Sequence, residues 1–141
     1  MSRSTDRHGL EVLPLAQSLA LLRSRPVGRL AYIDAGEPMI TPVNHGVDGS
    51  TVVFRSLAGG KLDAAIIGAP VAFHLDDYDP VRRSGWSVLV RGTARIIDDV
   101  ERVDRLEHTL ETWADPEGGR TTWVQIVADE VSGRRLGSGV E

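Results

Sequence analysis

Cysteine is absent from the 141 residues, which excludes disulfides, thiolate zinc sites and thiol catalysis. No apolar run approaches the ~20 residues of a membrane-spanning helix. The opening Met1 to His8 is polar and leads into no apolar signal core, so a soluble, cytoplasmic chain with no membrane partner is expected. Cations are not in excess: 16 Lys and Arg against 20 Asp and Glu give a formal charge of −4. A nucleic-acid partner, which usually leaves a basic footprint, is therefore not expected.

Several chemical signatures are missing too. Gly59-Gly60-Lys61 invites a phosphate-loop reading, but that motif needs a Gly where Arg55 stands and a Ser or Thr where Leu62 stands. The acidic run Asp76-Asp77-Tyr78-Asp79 is followed by Pro80 and Arg82-Arg83 rather than by the Gly and closing Glu of a calcium loop. A solvated loop is the better reading. His8, His45, His74 and His108 show no short ligand spacing, so no metal site is expected. No Ser occupies a Gly-x-Ser-x-Gly elbow. His45 and His74, on expected strands, remain weak candidates for proton transfer.

What is present fits one domain of 15.3 kDa, long enough to bury a core without staples. Residues 1–12 read as a flexible polar tail and 13–141 as the domain. Pro14 suits a helix start, and Leu15, Leu19 and Leu22 recur at helical spacing up to Pro26. Strands are expected at Val27–Ile33, Met39–Val47 and Thr51–Ser56, joined by turns at Asp34-Ala-Gly-Glu and Asp48-Gly49. Pro42 hints at a strand edge or bulge. A short helix follows from Lys61 to Ile67, closed by Gly68 and Pro70. Further strands are expected at Val71–Leu75, at Trp86–Ile97 with a bend at Gly92, and at Thr122–Val127, with Val131–Leu136 as a possible extension. A helix between them is capped by Asp98 or Asp99, carries Val103, Leu106, Leu110 and Trp113, and is broken at Asp115-Pro-Glu-Gly-Gly. Strands and helices do not alternate regularly, which argues against a doubly wound parallel sheet. The expected fold is mainly β: an antiparallel barrel of six or so strands with helices packed on it.

Four segments in order carry a resemblance. They are Leu22-Arg-Ser-Arg-Pro-Val-Gly-Arg-Leu-Ala, Pro42-Val-Asn, Val53-Phe-Arg-Ser-Leu-Ala-Gly-Gly-Lys-Leu and Gly85-Trp-Ser-Val-Leu-Val-Arg-Gly-Thr-Ala. Together with Val131-Ser-Gly-Arg-Arg-Leu, they resemble the pyridoxamine 5'-phosphate oxidase-like, flavin-mononucleotide-binding split-barrel superfamily over most of residues 13–136. The resemblance implies a six-stranded antiparallel split β-barrel with flanking helices, in a homodimer that holds FMN between its subunits and exchanges electrons or hydride with a small flat acceptor or donor. F420 is the alternative cofactor, and a non-catalytic flavin, F420 or haem carrier the alternative role. The oxidase proper is longer and has further basic residues that find no match here, so turnover of pyridoxamine 5'-phosphate is not expected.

The implied cofactor residues are Pro42, Val43, Asn44, Phe54, Arg55, Ser56, Gly60, Lys61, Leu62, Trp86 and Ser87. Arg55, Ser56 and Lys61 suit a phosphate, with Gly59 and Gly60 allowing close backbone approach. Taken singly, Arg55 and Lys61 would read as surface cations. Asn44 can serve the ring edge or a strand-end turn. Trp86 can cover the ring, anchor a dimer core, or both. The Trp86–Val90 strand is the expected dimer surface.

Overall fold

The computed structural model describes residues 4–110 and 120–137. Its elements run β1 (Glu11–Leu13), α1 (Leu15–Arg23), β2 (Val27–Asp34), β3 (Glu37–Asp48), β4 (Thr51–Leu57), α2 (Lys61–Ile66), β5 (Pro70–Asp79), β6 (Ser84–Ile96), α3 (Val100–Thr109) and β7 (Thr121–Leu136). All strand ladders are antiparallel, in the order β1-β7-β4-β3-β2-β5-β6, and β6 also bonds β7. Strands β2 to β7 thus close a six-stranded ring, the expected mainly β architecture, with β1 as a seventh strand outside it. The split lies along β7. Its first half, residues 121–126, pairs with β4, and its end, residues 133–135, pairs with β1.

Local chemistry explains the connections. Ala35 and Gly36 both take positive φ, 50° and 82°, the backbone of a tight two-residue hairpin turn between β2 and β3. The β6–β7 ladder slips at Arg91/Gly92, where a Cβ on Gly92 would lie 2.1 Å from the Val127 carbonyl oxygen. Pro42 pairs with Arg29 of β2, while pairing of β3 with β4 begins only at His45. Pro42 therefore lies where one edge of β3 is open, as a residue without an N–H requires.

Alternation along the strands fills the barrel. Leu30, Val52, Phe54, Phe73, Leu75, Val88, Val90, Val124 and Ile126 point inward and are buried, with Leu22 of α1 and Ile66 of α2 closing against them. A second cluster lies outside the wall, where Leu106 of α3 packs on Val53, Ile97 and Trp123.

The structure changes four expectations and bears out a fifth, the extension of the last strand. Residues 4–12 are not a bare tail. Val12 N–H donates to the Ser4 carbonyl, Arg134 bonds Asp6 at 2.9 Å, and Glu11 to Leu13 form β1. Leu15 is 55% exposed, so the inward face of α1 is Ser18, Leu19 and Leu22. The acidic run Asp76–Asp79 is the end of β5, paired residue by residue with Ser87–Ser84, not a loop. Val131–Leu136 is continuous with the preceding strand. Val88 and Val90 are sealed in the core, so within the Trp86–Val90 strand only Trp86, Ser87 and Leu89 keep surface that could meet another subunit. Trp113 and the Asp115–Gly119 breaker lie outside the described residues.

Candidate functional site

The register of β6, β5, β2 and β3 sets their outward side chains in rows. Ser87 stands opposite Asp76, Leu89 opposite His74, and Arg91 opposite Ala72. His74 continues to Arg29 and Pro42, and Ala72 to Ala31 and Ile40. A groove of about 620 Å³ runs over this wall, floored by Ala31, Ile33, Ile40 and Ala72 and bounded by Arg91 and Glu130. Its floor is apolar although it faces outward: Ile33 is 56% and Ile40 70% exposed. Ile33 also lines a second depression, of about 530 Å³, formed with Asp34, Ala35, Ala64, Ala65 and Lys61. Lys61 is the chain's single lysine. A flat amphipathic ring suits the first depression, and an anionic group suits the cation in the second.

The residues expected at a cofactor are dispersed. Lys61 is exposed at the start of α2. Gly60 precedes it, its N–H bonded to the Leu57 carbonyl at 3.1 Å. Arg55 points away from this depression: its guanidinium donates to Thr121 Oγ1 at 3.0 and 3.3 Å and lies 5.9 Å from the Trp123 ring centroid. Ser56 faces inward, buried, and donates to Asp63 Oδ1. Phe54 is buried in the barrel, and Val43 and Leu62 pack on that core from its ends, so none of the three offers a side chain to the outer groove. Pro42 is exposed on the outer wall. Asn44 donates to the Pro26 carbonyl at 2.8 Å and lines another depression, between α1 and β3. Trp86 packs partly on the core and lines a fourth depression with Asp77 and Arg135. Lys61, Asn44 and Trp86 thus border three different hollows within one subunit.

The two histidines separate as well. His45 is buried against Phe73, ring centroids 4.7 Å apart, and its Nε2–H donates to the Leu22 carbonyl at 2.8 Å. Burial pushes its pKa below the usual imidazole value, which keeps it neutral inside the wall. Nδ1 has no hydrogen-bond partner among the described residues. His74 stands half-buried on the outer wall, between Arg29 and Leu89. Among the described residues no group of three His, Asp or Glu could hold a metal ion. No helix among them is long and apolar enough to cross a membrane.

Sequence reasoning missed the groove floor, although a signal was there. Outward Ala31 and Ile33 alternate with inward Leu30 and Tyr32, so residues 30–33 of β2 are apolar on both faces. A strand with water on one side would alternate with polar residues.

The closed ring, the split along β7 and the outer groove define a split β-barrel protein. The model of the pyridoxamine 5'-phosphate oxidase family matches residues 14–135, and the chain belongs to that family. It is 35% identical to the uncharacterized protein Rv0080 of Mycobacterium tuberculosis, over 95% of this chain and 91% of that one. The structure of an FAD binding protein from Mycobacterium smegmatis superposes with a TM-score of 0.76 at 34% identity, over 89% of this chain and 96% of that one. The structure of a conserved protein of unknown function, DIP1874 from Corynebacterium diphtheriae, gives 0.74 at 30% identity, over 90% and 98%.

Proposed function

We propose that this protein binds a flavin nucleotide and acts as a homodimeric oxidoreductase on a small, flat electron donor or acceptor. One observation carries the reading: Ile33 lines both an exposed apolar groove and the hollow of the only lysine. The groove would take the ring, and Lys61 the phosphate. The redox chemistry is the flavin's own when bound; the chain contributes position, electrostatics and access. Ala31, Ile33, Ile40 and Ala72 exclude water from one side of the groove. Its other side is open, and a second copy of the same wall is the proposed cover. His74, two residues along β5 from the Ala72 floor, is the nearer of the two histidines for proton transfer; His45 is enclosed.

FMN is the simplest ligand of this kind. FAD is the second form to test, because a relative at 34% identity is described as FAD binding, and F420 is the third. Mass spectrometry of the molecule released on denaturation, with the visible spectrum of the purified protein, separates the three. A colourless protein that takes up no flavin overturns the reading.

Lys61→Met is the sharper test. A charge-assisted contact is worth roughly 1.5–3 kcal/mol, so FMN affinity should fall about tenfold to a hundredfold. Riboflavin, which lacks the phosphate, should change by no more than about twofold if only that contact is lost. Because Lys61 is the single lysine, amine labelling read by peptide mass reports this side chain alone. FMN should protect it and riboflavin should not. Equal losses of the two ligands on calorimetry would assign Lys61 to the fold.

A further inference from the structure

Ser56 was expected to donate to a phosphate, but its single hydroxyl hydrogen already goes to Asp63 Oδ1. A phosphate dianion only accepts hydrogen bonds, so Ser56 cannot serve it without abandoning Asp63. Both residues are 7% exposed, and a buried carboxylate left without its donor is costly. The bond also has a definite mechanical position. Ser56 is held in β4 opposite Thr122 of β7. Asp63 lies in the first turn of α2, two residues after Lys61, and its carbonyl accepts from Ile67 N–H at 3.0 Å. Between them the chain makes a tight link, with Gly60 N–H on the Leu57 carbonyl at 3.1 Å.

We propose that Ser56 is a positioning residue: its bond to Asp63 latches the first turn of α2 to β4 and so holds Lys61 in its hollow, and Ser56 itself makes no contact with the phosphate. This rests on the reading that Lys61 meets the cofactor phosphate. Two ways of serving that phosphate predict opposite signs for one variant. If Ser56 were a direct ligand, Asp63→Ala would free its hydroxyl and remove a nearby negative charge, so FMN would bind more tightly. For a latch, Asp63→Ala weakens FMN as Ser56→Ala does.

The test uses the full chain with Ser56→Ala, Asp63→Ala, the double variant, and the conservative Ser56→Thr and Asp63→Asn, which keep a donor and an acceptor. Amide hydrogen exchange over residues 60–66 is followed without cofactor, and FMN and riboflavin affinities are measured by calorimetry. Each alanine variant should speed that exchange and weaken FMN about threefold to tenfold, as loss of one hydrogen bond does, with riboflavin nearly unchanged. The double variant should be no worse than the worse single one, because both remove the same bond. The conservative variants should restore both readouts. Tighter FMN binding by Asp63→Ala, or an additive double variant, overturns the latch. Equal losses of FMN and riboflavin reduce it to a fold contact and also overturn it. If FMN binding is untouched throughout, Lys61→Met decides what failed. A loss there condemns the latch alone; no loss there condemns the Lys61 reading and the latch's role with it.

Discussion

The barrel has two apolar outer faces, and the chain treats them differently. Over β4, β6 and β7 the outward Val53, Ile97 and Trp123 are covered by α3, with Leu106 at the centre and Val103 and Leu110 beside it. The covering helix is also fastened by polar contacts: Trp123 Nε1–H donates to Glu107 at 2.9 Å, and Arg102 and Arg105 both reach Asp48. Over β2, β3 and β5 the outward Ala31, Ile33, Ile40 and Ala72 form the groove floor, and none of the helices among the described residues covers it. Burying apolar area is favourable wherever it occurs. The covered face uses this within the monomer, whereas the bare face leaves it in water, and the occupants proposed for it are a ligand and a second copy.

The largest effect is expected on the bare face. Ile40→Asp should leave the monomer folded, since this side chain is 70% exposed there. In a symmetric dimer the change counts twice. With about 1.5–3 kcal/mol for each buried Ile, the dimer should lose roughly 3–6 kcal/mol, and its dissociation constant should rise at least about a hundredfold. Light scattering over a dilution series reads this directly. A variant that stays dimeric at submicromolar concentration, or a wild type that is monomeric, would mean that this face is not an interface.

The covered face should respond in the opposite currency. Leu106 is 1% exposed, and Leu106→Ala leaves a hole between α3 and the wall. A loss of about 2–5 kcal/mol of folding stability is expected, read by denaturant unfolding. The subunit dissociation constant should not move. A change in dissociation with no change in stability would erase the distinction between the two faces.

The fold was legible because its signals are local. Ala35-Gly36 and Asp48-Gly49 announce hairpins, Gly92 a bulge, and inward residues such as Leu30 and Phe73 the strand period. The split could be expected only from the family resemblance, because it depends on β7 changing partners from β4 to β1 across sixteen residues, a long-range pairing that no short window contains. β1 itself is three residues long, too short to show a period. At the candidate site, Lys61 was singled out by the sequence and does line a depression, whereas the directions taken by Ser56 and Arg55 were hidden. Neighbours in a strand point to opposite faces, so Arg55 goes out to Thr121 and Ser56 in to Asp63. Asp63, the residue that claims the Ser56 hydroxyl, looked like an ordinary polar residue of a short helix.

The smallest expected effect tests what fastens the cover. Asp48 ends β3, with its carboxylate accepting from Arg102 Nε at 2.9 Å and Arg105 Nη1 at 2.6 Å. The Arg105 hydrogen bond, followed by that of Arg102 and the attraction of both charges, holds its pKa below the usual carboxylate value. A group depressed in this way stabilises the folded state above its unfolded pKa, near 3.8, and that contribution is lost as pH falls through the folded value. Asp48→Asn keeps an acceptor but removes the charge. It should cost about 1 kcal/mol at neutral pH, since Arg105 is largely in water and Arg102 retains Gln125. The gap between variant and wild type should hold from pH 7 down to about 4 and close below that, as the wild-type carboxyl gains its proton. High salt at pH 7 should narrow it, because an exposed partner is screened. A gap unchanged at pH 3 would mean that Asp48 acts through hydrogen-bond geometry alone, and that the cover over Val53 and Trp123 is held by apolar packing rather than by charge.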